Sequence, residues 1–214
     1  MLTVVLLALL AAGQQAAGDL AAEKHSDGVP AGLAPAIAER LAPGGVRVTA
    51  KGITLTFWWV KELPLDAGSS ADWASVREGA LVGGVKIDRD FRDIRGKIIK
   101  PGVYTLRYGI QPQNGDHLGV SPFREFLLLS PASVDSNPSP QGHDGTVDLS
   151  KQTIGGSHPA VWSLDPPTTT DAALSIHTND AGHKSVVMEV PVVRDAKGLG
   201  TLRFGLILIG KIEA

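Results

Sequence analysis

Apolar residues in this chain recur at every second position, and this period constrains the fold more than any other feature. Between residues 102 and 110, one face of the segment carries Tyr104, Leu106, Tyr108 and Ile110. The opposite face carries Thr105 and Arg107. Side chains of a β-strand point alternately to two sides, so this pattern predicts strands that bury one face. The same alternation runs through residues 53–59. The chain is therefore predicted to consist mainly of β-strands.

Turn residues divide the chain into about nine strands of this kind. The clearest turns are Lys51-Gly52, Lys100-Pro101-Gly102 and Asp195-Ala196-Lys197-Gly198, the last of which predicts a hairpin. Residues 124–129 are apolar on both faces and are predicted to form a central strand. Pro191 predicts an edge strand or a bulge. This pattern predicts an all-β fold, specifically an antiparallel β-sandwich of the immunoglobulin-like or jelly-roll-like kind.

One short N-terminal helix precedes these strands. Apolar residues recur every fourth position at Leu33, Ile37 and Leu41, which predicts a helix over residues 34–41 with one apolar stripe. Glycines and a proline at residues 43–45 end it.

The predicted domain organisation is a signal peptide (residues 1–18), a linker (19–31) and one β-sandwich domain (32–214). Residues 130–145 hold prolines among Ser, Asn and Gly, and they are the best candidate for an internal linker. The strands that follow are too few to bury two faces alone, so one domain is preferred over two. The chain is 43% hydrophobic and 20% charged, which is enough apolar material for a core.

The N-terminus predicts export. Residues 2–12 form an apolar run without charge, too short to span a bilayer but suited to a signal peptide. Small residues follow, and Ala16-Ala17-Gly18 fits a cleavage site, with residues 11–13 as a second candidate. The competing interpretation is a buried N-terminal helix. Export predicts a periplasmic or secreted protein with no membrane span in the mature chain.

Charge and residue usage exclude several functions. The formal net charge is −2, so no basic footprint for nucleic acid is present. The densest basic stretch, residues 89–100, is interleaved with Asp88, Asp90 and Asp93 and is interpreted as a solvated mixed face. The absence of cysteine excludes a lipid anchor on cysteine, disulfides and a cysteine nucleophile. No cofactor is predicted.

Metal binding is left open by the sequence. The six histidines show neither the i, i+2 spacing of ligands on a strand nor the i, i+4 spacing of ligands on a helix. A metal site would have to be assembled from separate loops. The alternative is a set of unrelated loop histidines.

The polar loop of residues 111–119 is the first candidate for a ligand-binding site. It carries Asn114, Asp116 and His117 directly after a predicted rigid strand. Loops held on such scaffolds frequently carry binding residues. The alternative is a tight Asn-Gly turn with a solvated tip.

Two further positions complete the predicted site. His158 lies in a second polar loop and is predicted to join the contact surface. Trp58 and Trp59 point to opposite faces of one strand, which predicts that one is in the core and the other at the surface. Trp58 is therefore a candidate for an aromatic platform that binds sugar, together with Trp73 and Trp162. The alternative is a tryptophan covered by residues 63–78.

Tyr104 follows the turn at residues 100–102. This position resembles the tyrosine corner of Greek-key sandwiches. Its hydroxyl is predicted to tie the crossover loop to the strand.

Several segments together resemble a group of exported proteins from environmental bacteria to which no activity is assigned. The matching segments are residues 99–108, 111–112, 115–117, 124–129 and 157–161. The resemblance covers nearly all of the mature chain. It implies export and a β-sandwich fold, and it implies no reaction.

Two function hypotheses follow. The first is an exported, non-enzymatic module that binds a protein, a small molecule or a glycan. The alternative is a metal-assisted or acid–base hydrolase that uses His117, Asp116 and His158, with His143 as a possible further ligand. A purely structural role in the cell envelope is a third option.

Overall fold

The computed structural model describes residues 15–17, 19–66, 72–112, 123–194 and 197–210. Within these ranges the strands are β1 (Gln15–Ala17), β2 (Leu20–His25), β3 (Gly45–Ala50), β4 (Ile53–Trp59), β5 (Leu63–Pro64), β6 (Leu81–Ile87), β7 (Phe91–Arg92), β8 (Ile98–Ile99), β9 (Gly102–Ile110), β10 (Glu125–Pro131), β11 (Ala160–Asp165), β12 (Ser175–Thr178), β13 (Lys184–Arg194) and β14 (Lys197–Ile209). The helices are α1 (Pro35–Ala38), α2 (Gly142–Ile154) and a single 3-10 turn (Trp73–Ser75). The prediction of a mainly β fold is confirmed.

Twelve of the described strands form one sheet. Their order is β1-β2-β3-β4-β6-β9-β10-β11-β14-β13-β12, with every neighbouring pair antiparallel. The short strand β5 pairs parallel to β13, so the sheet is mixed rather than purely antiparallel. The predicted central strand is confirmed, since β10 lies between β9 and β11. The strands β7 and β8 form a separate hairpin.

The sheet curls, and β12 contacts both β1 and β2 at the far end of the strand order. The core lies inside this curl, where aromatic side chains from distant strands meet. Phe57 on β4 lies 5.8 Å from Trp162 on β11, and Trp59 lies 5.2 Å from Phe204 on β14, measured between ring centroids. The alternating face predicted for β4 is therefore the core face.

The strands run between two ends of the molecule. The loop end (residues 78–80, 111–112 and 123–124) contains the end of β9 and the start of β10. The cleft end (residues 50–53, 90–96 and 208–210) contains the hairpin turn between β3 and β4 and the β7–β8 hairpin. The nine residues of β9 separate the two ends by about 30 Å, at ~3.4 Å per residue.

Both predicted linkers contain regular structure. Residues 19–31 include β2, whose six residues pair with β3. Leu20 and Ala22 are buried on one face of β2. The alternation is short and lies among small residues, so the sequence did not indicate a strand there. Residues 130–145 include the first turn of α2. The side chains that α2 buries are Thr146 and Ser150, so the sequence shows no apolar stripe that would predict a helix.

Hydroxyl groups dock α2 onto the sheet. The Ser150 hydroxyl donates to the Ala160 carbonyl at 2.9 Å and accepts from the Ala160 N–H at 3.0 Å. The Thr153 hydroxyl donates to the Leu129 carbonyl at 2.7 Å. Gly155, with φ 64°, ends the helix in the left-handed conformation. The predicted N-terminal helix is present as α1, shorter than expected, with Ile37 buried.

Two local predictions are confirmed. The Tyr104 hydroxyl donates to the Lys100 carbonyl at 2.8 Å, so the side chain ties the turn to β9. Pro191 precedes an irregularity in the pairing of β13 with β14, which falls between Val192 and Val193.

The two tyrosines of the chain resist ionisation. Burial raises the pKa of the Tyr104 hydroxyl above its ordinary value of 10.0, and the negative charge of Asp90 adds to the effect. Burial also raises the pKa of Tyr108, with further contributions from the carboxylates of Glu125 and Glu78. In the folded protein both hydroxyls therefore stay protonated above pH 10.0.

This protonation predicts a loss of stability in alkali. Above a pH of about 10 the unfolded chain releases tyrosine protons that the native protein retains, so the free energy of unfolding falls as pH rises. Denaturant titrations at neutral pH and above pH 10 measure this slope. The double variant Tyr104→Phe, Tyr108→Phe is expected to have a flatter slope. Tyrosinate absorbance appearing near pH 10 in protein that is still folded would contradict the prediction.

Candidate functional site

The structure locates the base of the predicted binding loop at the loop end. Asn114, Asp116 and His117 lie outside the described residues. The base is closed by hydrogen bonds between its two strands, because the Gln111 N–H donates to the Arg124 carbonyl at 2.8 Å. The Arg124 guanidinium donates back to the Gln111 carbonyl at 3.2 Å.

A histidine–carboxylate pair lies beside this base. His143 Nδ1 is 2.8 Å from Glu78 Oε1, and the same oxygen accepts the Ile110 N–H at 3.1 Å. Both side chains are partly exposed. The hydroxyl of Tyr108 is buried and finds no hydrogen-bond partner among the residues that the structure describes. The pair gives His143 a contact that the sequence did not predict.

His158 lies far from this pair. His143 is in the first turn of α2 and His158 follows its end, so the 13 residues of the helix separate them by about 20 Å. His158 is exposed and contacts the Ser157 hydroxyl at 3.1 Å. The predicted contact surface joined the 111–119 loop to His158, but α2 holds His158 away from the described base of that loop. His143 and His158, which the hydrolase hypothesis places in one site, therefore do not lie together in the structure.

Trp58 is part of the packed interior, which corrects its predicted role as a surface platform. Its side chain is buried, its Nε1 donates to the Asp27 carbonyl at 3.2 Å, and its ring packs edge-on against His25. The chain segment that leads to α1 covers this outer face of β4. The other candidate rings, Trp73 and Trp162, pack against core aromatics.

The cleft end holds a cavity of about 500 Å³ that the sequence did not predict. This volume falls within the range of small-molecule sites. Three separate segments line it: residues 50–53, residues 90–96 and residues 208–210. Its apolar lining residues are Ala50, Ile53, Phe91, Ile94, Leu208 and Ile209.

A network of hydrogen bonds fixes one wall of the cleft. The buried Asp93 carboxylate accepts the N–H groups of Arg95 and Lys97 at 3.0 and 2.9 Å. It also binds the Arg95 guanidinium through two contacts of 3.0 and 2.7 Å. Arg95 reaches across to the Pro159 carbonyl at 3.0 Å. These contacts hold the 90–96 segment against the start of β11.

Some charged side chains around the cleft form ion pairs and others do not. Asp93 is bound by Arg95, and Asp90 contacts Lys100 at 2.8 Å. Arg92 donates to the Gly96 carbonyl at 3.0 Å, but neither Arg92 nor Lys51 has a carboxylate partner within the described part of the chain. The cleft therefore combines an apolar lining with two uncompensated cations.

The sequence contained only a weak trace of this cleft. The sequence predicts a solvated mixed face for residues 88–100 because charges of both signs alternate there. Phe91 and Ile94 are buried within that stretch, and these apolar residues are the sequence feature that could have indicated a wall of the cleft. The other two walls come from distant segments that no motif connects.

Among the described residues, no three His, Asp or Glu side chains come together in a way that could hold a metal ion. No helix in the described ranges is long and apolar enough to cross a membrane. Comparison with protein families, with curated proteins and with solved structures gives no match for this chain.

Proposed function

We propose that this chain is an exported, non-enzymatic binding protein that holds a small molecule in the cleft at the cleft end. The observation that carries the proposal is the cavity of about 500 Å³ with its apolar lining. Apolar cavities of this size with a few polar groups at the rim are typical of small-molecule sites.

The charged groups around the cleft are suited to holding a ligand. The carboxylates of Asp93 and Asp90 are already bound by cationic side chains. Arg95 fixes the wall of the cleft to Pro159, which preorganises the site before a ligand enters.

The proposal includes the β-sandwich architecture, export, and kinship with the exported group that residues 99–108 resemble. Contacts between β4 and the β11–β14 side of the sheet support two facing layers. The apolar run of residues 2–12 supports export. The predicted leader includes β1, and β2 begins two residues after the predicted cut.

The mature chain is expected to begin at residue 19. N-terminal sequencing of the protein recovered from the periplasm or the medium measures this, and a retained Met1 would contradict export.

Blocking the cleft is expected to abolish ligand binding. Ile53 and Ile209 line the cleft and are only half-buried, so larger side chains there have room to extend into the cavity. For the double variant Ile53→Trp, Ile209→Trp, we expect the Kd of the neutral dye phenylnaphthylamine to rise at least about tenfold, equivalent to about 1.4 kcal/mol. The measurement is a fluorescence titration, since the dye brightens in apolar surroundings.

The matched control is the double variant Val161→Trp, Val193→Trp. Both valines are half-buried and lie outside the cleft. The control is expected to bind the dye as the wild type does. Equal loss of binding in the two variants, or no dye binding by the wild type, would contradict the proposed site.

A further inference from the structure

We infer that the ligand of the cleft is an amphipathic anion, a molecule with an apolar body and one acidic group. This inference rests on the proposed binding function and specifies its ligand class. It is carried by the charges at the rim of the cleft, by the backbone conformation of Lys51 and by the apolar lining.

The rim of the cleft carries positive charge although the chain as a whole carries a net charge of −2. The ion pairs Asp93–Arg95 and Asp90–Lys100 are each neutral. Lys51 and Arg92 remain, both exposed and both lining the cleft. An anion between them would gain charge-assisted hydrogen bonds.

The backbone at Lys51 supports a functional role for its side chain. Lys51 has φ 51°, and it is the only non-glycine residue with positive φ in the described part of the chain. Gly52 follows with φ 75°, so the two residues form the tight turn between β3 and β4. The first position of such a turn favours Asn, Asp or Gly, and lysine there is conformationally unfavourable. Unfavourable backbone conformations of this kind cluster at functional sites.

The interior of the cleft is suited to binding the apolar body of the ligand. Phe91 and Leu208 form buried parts of the lining, and Ile53 and Ile209 are half-buried at its edge. Burial of apolar surface provides most of the affinity in such a site, and the rim charges select the head group.

A pair of dyes that differ only in charge tests the inference. Phenylnaphthylamine is neutral, and anilinonaphthalene sulfonate has the same aromatic body with an added sulfonate. The wild-type protein is expected to bind the sulfonate more tightly than the neutral dye. The difference should shrink as salt is added, because the rim charges are exposed to solvent.

Charge reversal at the rim is the main test. The double variant Lys51→Glu, Arg92→Glu is expected to weaken binding of the sulfonate at least about tenfold, while binding of the neutral dye changes less than about twofold. The matched control is Lys24→Glu, Arg40→Glu, which changes the net charge equally at exposed positions outside the cleft. The control is expected to change the sulfonate affinity only slightly.

The variant Lys51→Asn separates binding from folding. Asparagine favours the left-handed conformation that Lys51 adopts, so the denaturant midpoint is expected to rise. The affinity for the sulfonate is expected to fall in the same variant. A protein that is more stable yet binds the anion more weakly excludes misfolding as the cause.

The outcomes distinguish this inference from the function on which it rests. Two results would overturn the anion preference while leaving the binding site in place. In the first, the neutral dye binds in the cleft and the sulfonate binds no more tightly. In the second, Lys51→Glu, Arg92→Glu has the same effect as its control. If neither dye binds the wild type, the proposed function itself fails.

Discussion

Replacement of Asp135 with Ala is expected to lower the free energy of unfolding by about 3–5 kcal/mol. Asp135 is buried and binds the fully buried guanidinium of Arg107 through two contacts, Nε to Oδ2 at 2.7 Å and Nη2 to Oδ1 at 2.8 Å. Removal of the carboxylate leaves the positive charge of Arg107 in the interior without a counter-charge. Chemical denaturation followed by circular dichroism measures the loss.

The double variant Arg107→Met, Asp135→Leu is the matched control. Removing both charges leaves no unpaired ion, so its loss of stability is expected to be smaller than that of Asp135→Ala. Three backbone carbonyls, those of Gly79, Asn137 and Ser139, would each lose the hydrogen bond that Arg107 donates, and some loss therefore remains. A loss below about 1 kcal/mol for Asp135→Ala would contradict the assignment of a buried ion pair.

The second large effect is expected for Trp162→Ala, which should lower the free energy of unfolding by about 3–5 kcal/mol. Trp162 is buried and connects β11 to two other parts of the core, with ring centroids 5.8 Å from Phe57 and 5.7 Å from Phe91. Truncation leaves a cavity at the centre of the curled sheet. Denaturant titration of the purified variant measures the effect.

Trp162→Phe is the control for this variant. The buried Nε1 of Trp162 finds no hydrogen-bond partner among the described residues, so replacing indole with a benzene ring breaks no hydrogen bond there. The loss is expected to be well below that of Trp162→Ala. Equal losses for the two variants, or a loss near zero for Trp162→Ala, would contradict a packed core at this position.

The alternating pattern predicted most of the strands because one side of each strand is buried in the curl. Tyr104 and Tyr108 fall on the buried face that their spacing predicted. Arg107 falls on the opposite face, as its spacing predicts, and it is also buried. That face is covered by the segment that carries Asp135, and a buried charge pair between distant residues leaves no local trace in the sequence.

The helix α2 could not be predicted for a related reason. Its buried residues, Thr146 and Ser150, are hydroxyl-bearing rather than apolar. The hydroxyls of Ser150 and the partly buried Thr153 bind backbone carbonyls of β11 and β10. Helix prediction from sequence depends on an apolar stripe, which this helix does not need because its contacts are polar.

The candidate site was the least predictable part of the protein. Residues 50–53, 90–96 and 208–210 are far apart in the sequence, and only the curl of the sheet brings them together. The sequence favours the polar loop of residues 111–119 as a binding site because loops frequently carry binding residues. The residues at its base lie at the opposite end of the molecule from the cleft.

Amide chemical shifts in the full mature protein, recorded while phenylnaphthylamine is added, test the central claim most directly. The account predicts that the largest shift changes fall on residues 50–53, 90–96 and 208–210, and that the amides of residues 78–80 and 123–124 stay unchanged. Shift changes confined to the loop end, or no change at the cleft at saturating dye, would contradict the claim that this cleft binds ligand.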